Sequence, residues 1–307
     1  MDLDRLAQFA AVARRGSIGA AAAELGLTQP ALTRGLQRLE KELGGRLFDR
    51  SPRGVVVTAF GEIFLPYAQA ILSEAGRADD ALKAFKGLAA TRVRVGISPN
   101  FVGYIVPAAV RGLFTQFPKV TVGVVTETYE NLVRMLRAYD IDFIFAQYFD
   151  NPANLDVAPG ADMRREVLFT SFSRAYVAAD HALARRRKLP LGELCTHDWA
   201  IPLQMSLVYR FEYVFRTREL TAPVQKINSS SMSFIRSALY DFGLAVVLPD
   251  HIMAEDVRAG RAVALPVPEL VFDYRVGLSW RARGTRTPAM TAVARHLRAA
   301  ARAAGAG

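Results

Sequence analysis

Leu32, Leu36, Leu39 and Leu43 recur at intervals of four, three and four residues, and no other feature constrains the chain as much. At about 3.6 residues per turn they share one narrow arc of a helix, which marks a buried face. Pro30, Thr33, Arg34, Gln37 and Lys41 take the opposite arc. Thr28 suits the N-cap, and Pro30 is tolerated because first-turn amides have no intrahelical partners. The outward face therefore carries hydroxyl, amide and guanidinium groups, the types that bond to base edges and phosphates in a major groove. Gly35 lies inside this helix; it is read as a weak point costing about 1 kcal/mol relative to alanine, with close approach to DNA as the other reading.

The flanking residues extend the pattern. Ser17 to Leu25 reads as a short alanine-rich helix capped by Ser17, followed by a turn in which Gly26 supplies a positive φ. Leu3, Leu6, Phe9 and Val12 supply a first helix that completes the core. After the leucine helix, Asp49 to Thr58 has the form of a β-hairpin wing. Arg50 and Arg53 in that wing could reach backbone phosphates or the adjacent minor groove, with an ion pair to Asp49 or Glu62 as the structural reading for one of them.

In this order and spacing, the first 65 residues resemble the LysR-type transcriptional regulators. The resemblance rests on Phe9, Gly16-Ser17, Ala21-Ala22, Gln29-Pro30-Ala31, Arg34, Leu39-Glu40, Glu42-Leu43-Gly44, Leu47-Phe48, Arg50, Arg53-Gly54, Thr58 and Gly61. Ile18 departs from it, standing where an aromatic is usual, as does Gly35. The resemblance implies a winged helix-turn-helix at residues 1–58 that binds a pseudo-palindromic double-stranded DNA operator. The DNA-binding residues expected are Thr28, Gln29, Pro30, Thr33, Arg34, Gln37, Arg38, Arg50 and Arg53.

Residues 59–88 read as a long linker helix begun by Thr58. Phe60, Phe64, Tyr67, Ile71, Ala75, Ala78, Leu82 and Phe85 form a heptad-like seam along it, and Pro66 should bend it. The winged domain has too little chain to cover such a seam, so a second copy is expected to do so, giving a homodimer or homotetramer. Beyond a hinge at Gly87 to Thr91, apolar strands alternate with amphipathic helices, the rhythm of a largely parallel sheet covered on both faces. Strands are expected at Arg92–Ser98, Val120–Val125, Ile141–Ala146, Val167–Ser171, Ala175–Ala178, Trp199–Ile201, Val224–Ile227, Gly243–Leu248 and Val271–Ser279, with a last helix from Pro288. The fold class is thus α/β with an N-terminal winged helix-turn-helix, a linker helix and a C-terminal two-subdomain module like a periplasmic binding protein. That effector-binding module spans 92–307, with subdomain I at about 92–161 and 266–307 and subdomain II at about 162–265.

In open α/β sheets ligands bind beyond the carboxyl ends of strands, where helix N-termini offer free amides. Four such loops carry small polar residues suited to a carboxylate or other small anion: Ser98 to Phe101, Thr126 to Tyr129, Pro202 to Ser206, and Asn228 to Met232. Phe101, Tyr129, Tyr148 and Met232 are candidates for an apolar wall against a ring. The resemblance places an effector between the two subdomains at these loop ends. The effector-binding candidates are Ser98, Asn100, Phe101, Thr128, Gln147, Pro202, Gln204, Ser230 and Met232, and ordinary N-capping is the plain alternative for the hydroxyls.

The formal charge of +10 favours a polyanionic partner, and residues 28–53 carry six basic side chains against three acidic. A second basic stretch, seven arginines after Asp273 with no acid, is expected to form a solvated face. Cys195 stands alone, so no intrachain disulfide is expected. No apolar run approaches the roughly 18 residues a membrane span needs, and the chain is expected in the cytoplasm with no membrane partner. His181, His197, His251 and His296 are too scattered for a metal site, so neither metal nor cofactor is expected, and no catalytic constellation is found. The expected function is a transcriptional regulator responding to a small organic or aromatic acid, with RNA polymerase admitted as a further partner. The alternatives are a solute-binding protein or enzyme that uses its N-terminus only to dimerise, and a DNA binder that needs no effector.

Overall fold

The computed structural model describes residues 2–51, 54–85, 92–148, 160–284 and 286–305. Helices α1 (Leu3–Arg15), α2 (Ile18–Glu24) and α3 (Gln29–Leu43) pack with an antiparallel hairpin of β1 (Phe48–Ser51) and β2 (Gly54–Val57). Leu32, Leu36 and Leu39 are buried against Leu6, Phe9, Val12, Ala21 and Ala22, while Leu43 is half-buried at the rim. The caps follow from side-chain chemistry: Ser17 Oγ accepts from the Ala20 N–H and Thr28 Oγ1 from the Ala31 N–H, each at 3.4 Å. Gly26 adopts φ +65°, which lets α2 and α3 meet at a sharp angle. Gly35 faces inward instead of toward DNA. A Cβ there would stand 1.8 Å from Oε1 of Gln8 in α1, so the absent side chain makes room for α1.

Helix α4 (Ala59–Phe85) is 27 residues, about 40 Å, long. Thr58 Oγ1 begins it by accepting from the Gly61 N–H at 3.0 Å. Its expected end near Leu88 and the hinge at 87–91 lie outside the described residues. The helix has two apolar faces. Phe64, Leu65, Ala68 and Leu72 close the core of the N-terminal module, with the Phe64 ring stacked on Phe9 at 5.6 Å. Phe60, Ile63, Tyr67, Ile71 and Leu82 form an exposed stripe, Ile63 and Tyr67 being 69% and 61% exposed. The expected seam is therefore corrected at one position: Ile63 belongs to it and Phe64 does not, because Phe9 claims that ring.

The C-terminal module is one nine-stranded sheet in the order β4-β3-β5-β11-β6-β9-β7-β8, with β10 also paired to β6. Strands β3 (Arg92–Ile97), β4 (Thr121–Thr126) and β5 (Phe143–Tyr148) form one parallel trio. Strands β7 (Trp199–Pro202), β8 (Gln225–Ser229) and β9 (Ala245–Pro249) form another. The two trios are joined by an antiparallel pair, β6 (Met163–Ala178) and β11 (Phe272–Arg281). Here the structure departs from the strand pattern expected. Val167–Ser171 and Ala175–Ala178 are parts of one 16-residue strand, because the intervening Phe172 and Ser173 pair with Asp273 and Phe272. The sequence shows a break there because Ser173 and Arg174 interrupt the apolar run. β6 pairs with β11 over its first two-thirds and with β9 and β10 (Ala262–Ala264) at its end, so the chain passes between the trios inside a strand. Helices α5 (Ile105–Gln116), α6 (Tyr129–Arg137), α7 (Met205–Arg216), α8 (Met232–Asp241), α9 (Asp250–Arg258) and α10 (Pro288–Gly305) accompany the sheet.

Five of the seven arginines after Asp273, namely Arg275, Arg283, Arg286, Arg295 and Arg302, are exposed as the solvated-face reading expects, while Arg281 and Arg298 are more enclosed. The Arg298 guanidinium pairs with Glu166 at 2.8 Å, Arg286 lies 4.3 Å over the Trp280 ring, and Arg281 is 8% exposed beside Asp142. Asp142 also meets Arg77 of α4 at 3.4 Å, which ties the linker helix to the sheet.

Subdomain packing on the β9 side depends on one carboxylate. Asp256 of α9, with no exposed surface, accepts from Arg236 of α8 at 2.6 and 2.8 Å and from Arg261 at 2.6 and 2.9 Å. Arg236 first, and then Arg261, holds this carboxyl down to about 2 from its ordinary 3.8, against the opposing effect of burial. A depressed carboxyl stabilises the fold above its unfolded value, and that contribution is lost as pH falls from near 4 to about 2. Asp256→Asn should therefore lower stability at neutral pH by about 1–3 kcal/mol. It should also flatten acid unfolding over that window, as measured by denaturant titration at several pH values.

Candidate nucleic-acid interface and ligand cleft

The reading face is set by the inward leucines. With Leu32, Leu36 and Leu39 held in the core, Pro30, Arg34, Gln37 and Arg38 are exposed on the other side of α3, Thr28 and Gln29 are exposed at its start, and Thr33 is half-buried. Gln29 bends back over α2, its Nε2 lying 2.8 Å from where a Cβ on Gly19 would stand. Neither Arg34 nor Arg38, both exposed, has an ion-pair partner among the described residues.

Glu40, on the inner flank of α3, positions the wing. Its Oε1 accepts from the backbone N–H of Leu47 at 2.8 Å and of Phe48 at 3.4 Å. The wing is also joined to α1, since the Val55 N–H donates to the Gly16 carbonyl at 3.0 Å. Arg50 stands in β1 opposite Val55 in the strand register. Arg53 lies outside the described residues.

A cleft of about 540 Å³ opens between the ends of the two parallel trios. Of the expected effector residues, Asn100, Ser230 and Met232 line it. Gln147 and Gln204 stand behind Asn100 in a chain of side-chain amides: Asn100 Nδ2 donates to Gln147 Oε1, and Gln147 Nε2 donates to Gln204 Oε1. That chain runs from β3 through β5 to the start of α7, so it crosses from one trio to the other. Asn100 Oδ1 is left buried with no partner.

The remaining candidates stand elsewhere. Phe101 has no exposed surface and packs edge-on to Phe145 at 5.4 Å, so it is core and not a wall for a ring. Ser98 is buried at the end of β3, where its N–H donates to the Phe145 carbonyl at 3.0 Å. Thr128 caps α6, accepting from the Asn131 N–H at 3.4 Å, and Pro202 is buried within β7. For Thr128 the plain capping alternative describes what its hydroxyl does.

Thr126, in one of the four expected loops, also lines the cleft, whereas sequence reasoning missed His251, Tyr104 and Arg236, which line it as well. His251 at the start of α9 reaches across to the Asn100 carbonyl, 2.9 Å from its Nε2. Its ring stacks on Phe101 at 5.4 Å and on Tyr104 at 5.0 Å. Burial pushes its pKa below the ordinary 6.5, which favours a neutral ring donating from Nε2. No local signal marks it, because its partner is 151 residues away. Among the described residues no group of three or more His, Cys, Asp or Glu could hold a metal ion, and no helix is long and apolar enough to cross a membrane.

Comparison with known proteins identifies the family and the fold. Residues 3–62 match the bacterial regulatory helix-turn-helix protein of the lysR family, and residues 86–302 match the LysR substrate binding domain. The transcriptional regulator GbpR of Rhizobium radiobacter is 30% identical over 285 residues, 91% of this chain and 90% of its own length. Full-length LysG of Corynebacterium glutamicum with bound effector Arg superposes with a TM-score of 0.66 at 16% identity, covering 98% of each chain. Vibrio fischeri DarR in complex with DNA gives 0.54 at 17% identity, covering 97% of this chain and 98% of that one. At those identities the two structures speak for the fold alone. With a DNA-reading helix, a linker helix and a clefted α/β sheet matched end to end by these relatives, the chain belongs to the LysR-type transcriptional regulators, which bind DNA operators and small effectors as oligomers.

Proposed function

We propose that α3 enters the major groove with Gln29, Thr33, Arg34, Gln37 and Arg38 toward the bases and backbone, while Arg50 and Arg53 of the wing contact phosphates. The observation that carries this reading is the outward arginine pair of α3, exposed and uncommitted opposite a fully buried leucine seam. DarR in complex with DNA shares the fold and lends support. The exposed stripe on α4 takes the same stripe of a second copy, which sets two reading helices on successive half-sites. The protein is a regulator and not an enzyme, and it works in the cytoplasm, where its operator is.

The ligand we assign to the cleft is a small organic acid that also carries a hydrogen-bond donor. The donor would meet the orphaned Asn100 Oδ1, and the carboxylate would meet the serine hydroxyls and free amides at the start of α8. LysG with bound effector Arg is a relative in fold whose ligand has both groups. Closing the cleft on such a ligand changes the relation of the two trios and, through the sheet, of the linker helices.

Three measurements test this. Arg34→Ala should weaken binding to a cognate operator by about 1–3 kcal/mol in anisotropy titrations, while binding to unrelated DNA changes little; equal losses on both would remove Arg34 from base reading. Ile63→Glu should turn the oligomer into monomers by analytical ultracentrifugation and abolish binding to the two-half-site operator, and an unchanged sedimentation coefficient would refute the stripe as the interface. A thermal-shift screen of amino and hydroxy acids should find a ligand that raises the melting temperature. Met232→Glu, which puts a like charge in the cleft, should abolish that rise; a shift that survives it places the ligand elsewhere.

A further inference from the structure

A chamber of about 840 Å³ lies where α1, α4 and the β3 end of the sheet meet. Its walls are basic: among the described residues Arg14, Arg77, Arg92 and Arg94 line it against two carboxylates, Asp140 and Asp142. Asp142 is already engaged. Its Oδ1 lies 3.4 Å from Arg77 and 3.5 Å from Arg281, and its Oδ2 accepts from the Arg94 backbone N–H at 2.9 Å. Arg14 pairs with Glu24.

Arg92 and Arg94 are different. Neither has a carboxylate partner among the described residues, and the Arg94 guanidinium donates to the Tyr139 carbonyl at 2.8 Å. They occupy alternate positions of β3 and so project from one face of the sheet. Both lie over Gly123 of β4: a Cβ there would stand 3.6 Å from Arg94 Cγ and 3.8 Å from Arg92 Nε. The Arg94 stem and the Arg92 guanidinium share the space over Gly123 while the Arg94 guanidinium reaches to Tyr139, and an anion in the chamber would offset the repulsion of these like charges. The crowding extends to Arg281, held down to about 10 by burial first and then by Arg77, with Arg94 adding to the effect.

The chamber does not belong to the subunit interface. At about 100° per residue, Leu65, Gln69, Leu72 and Gly76 centre on the side of α4 opposite Ile63, Tyr67 and Ile71. A partner helix on the exposed stripe leaves the chamber open.

We propose that this chamber is a second ligand site, separate from the cleft, for a small oxyanion bearing two or more negative charges, gripped by Arg92 and Arg94. Planar guanidiniums suit paired oxyanion oxygens, whether on phosphate or on carboxylate groups. Because its walls come from the reading head, the linker and the sensor sheet, an occupant would favour one mutual placement of the three.

The test is isothermal titration calorimetry of the full-length protein with inorganic pyrophosphate and, separately, with citrate, at matched ionic strength. One saturable site per chain is expected for at least one of them; pyrophosphate alone would point to a phosphorylated ligand and citrate alone to a polycarboxylate. Arg92→Gln and Arg94→Gln should each weaken binding about tenfold, the loss expected for one charge-assisted contact, with melting temperatures confirming the fold. Arg92 is exposed, so its variant is safe on that count. Heat that does not saturate, or affinity indifferent to both substitutions, overturns the proposal. So does a uniform loss of DNA affinity with a shallower salt slope and no anion binding, which would give the two arginines to DNA phosphates.

Discussion

Helix α4 has to satisfy two modules at once, and the rest of the architecture depends on how it does so. Near its start the Phe64 ring stacks on Phe9, and Ala68 and Leu72 complete the small core of the reading head. Fully burying a ring such as that of Phe9 is worth about 1.5–3 kcal/mol, a large share of the stability of so small a module. Further along, Arg77 meets Asp142 at 3.4 Å, where the carboxylate is 6% exposed. One rigid element thus holds the DNA-reading surface by dispersion and burial, and holds the sensor sheet by a charge contact. Its remaining face is apolar and unoccupied within the chain, which is what a subunit interface requires.

The sensor module has a comparable economy. Two parallel trios, each with its own flanking helices, are joined among the described residues by the backbone ladder of the antiparallel pair β6 and β11. The antiparallel pair carries the sheet's twist from one trio to the other. Two polar contacts bridge the gap on the cleft side: the amide chain from Asn100 through Gln147 to Gln204, and the His251 ring on the Asn100 carbonyl. At its far end β11 delivers Arg281 to the same Asp142 that receives Arg77. Strand β11 and the linker helix therefore converge on one carboxylate.

Much of this was legible beforehand, for reasons tied to particular residues. The leucine interval, Thr28 as cap and Gly26 as turn are local matters, decided by helix geometry within a few residues. The strand–helix alternation was legible because strands covered on both faces must be apolar throughout, as the fully buried run Phe143–Tyr148 is. Phe64 was misassigned because Phe64 and Ile63 both fit a heptad reading, and only the position of Phe9 decides between them. The arginine-rich end was legible as a mostly exposed face, but charge counts carry no information on pairing, and Glu166 and Asp142 each engage one of those side chains while Arg286 lies over Trp280. The cleft was half legible: polar loop ends mark where ligands tend to bind, yet which of them face inward is a matter of sheet twist.

The amino-acid sequence alone determined which face of α3 is core and which is free, where the helices begin, and that an α/β module follows a winged head. These depend on interactions a few residues apart, so the order of side chains suffices. Only the tertiary structure decided that Gly35 makes room for Gln8, that β6 runs unbroken between the trios, and that His251 reaches Asn100. Each joins groups far apart in the chain, and their meeting depends on how whole elements pack, which no local pattern records.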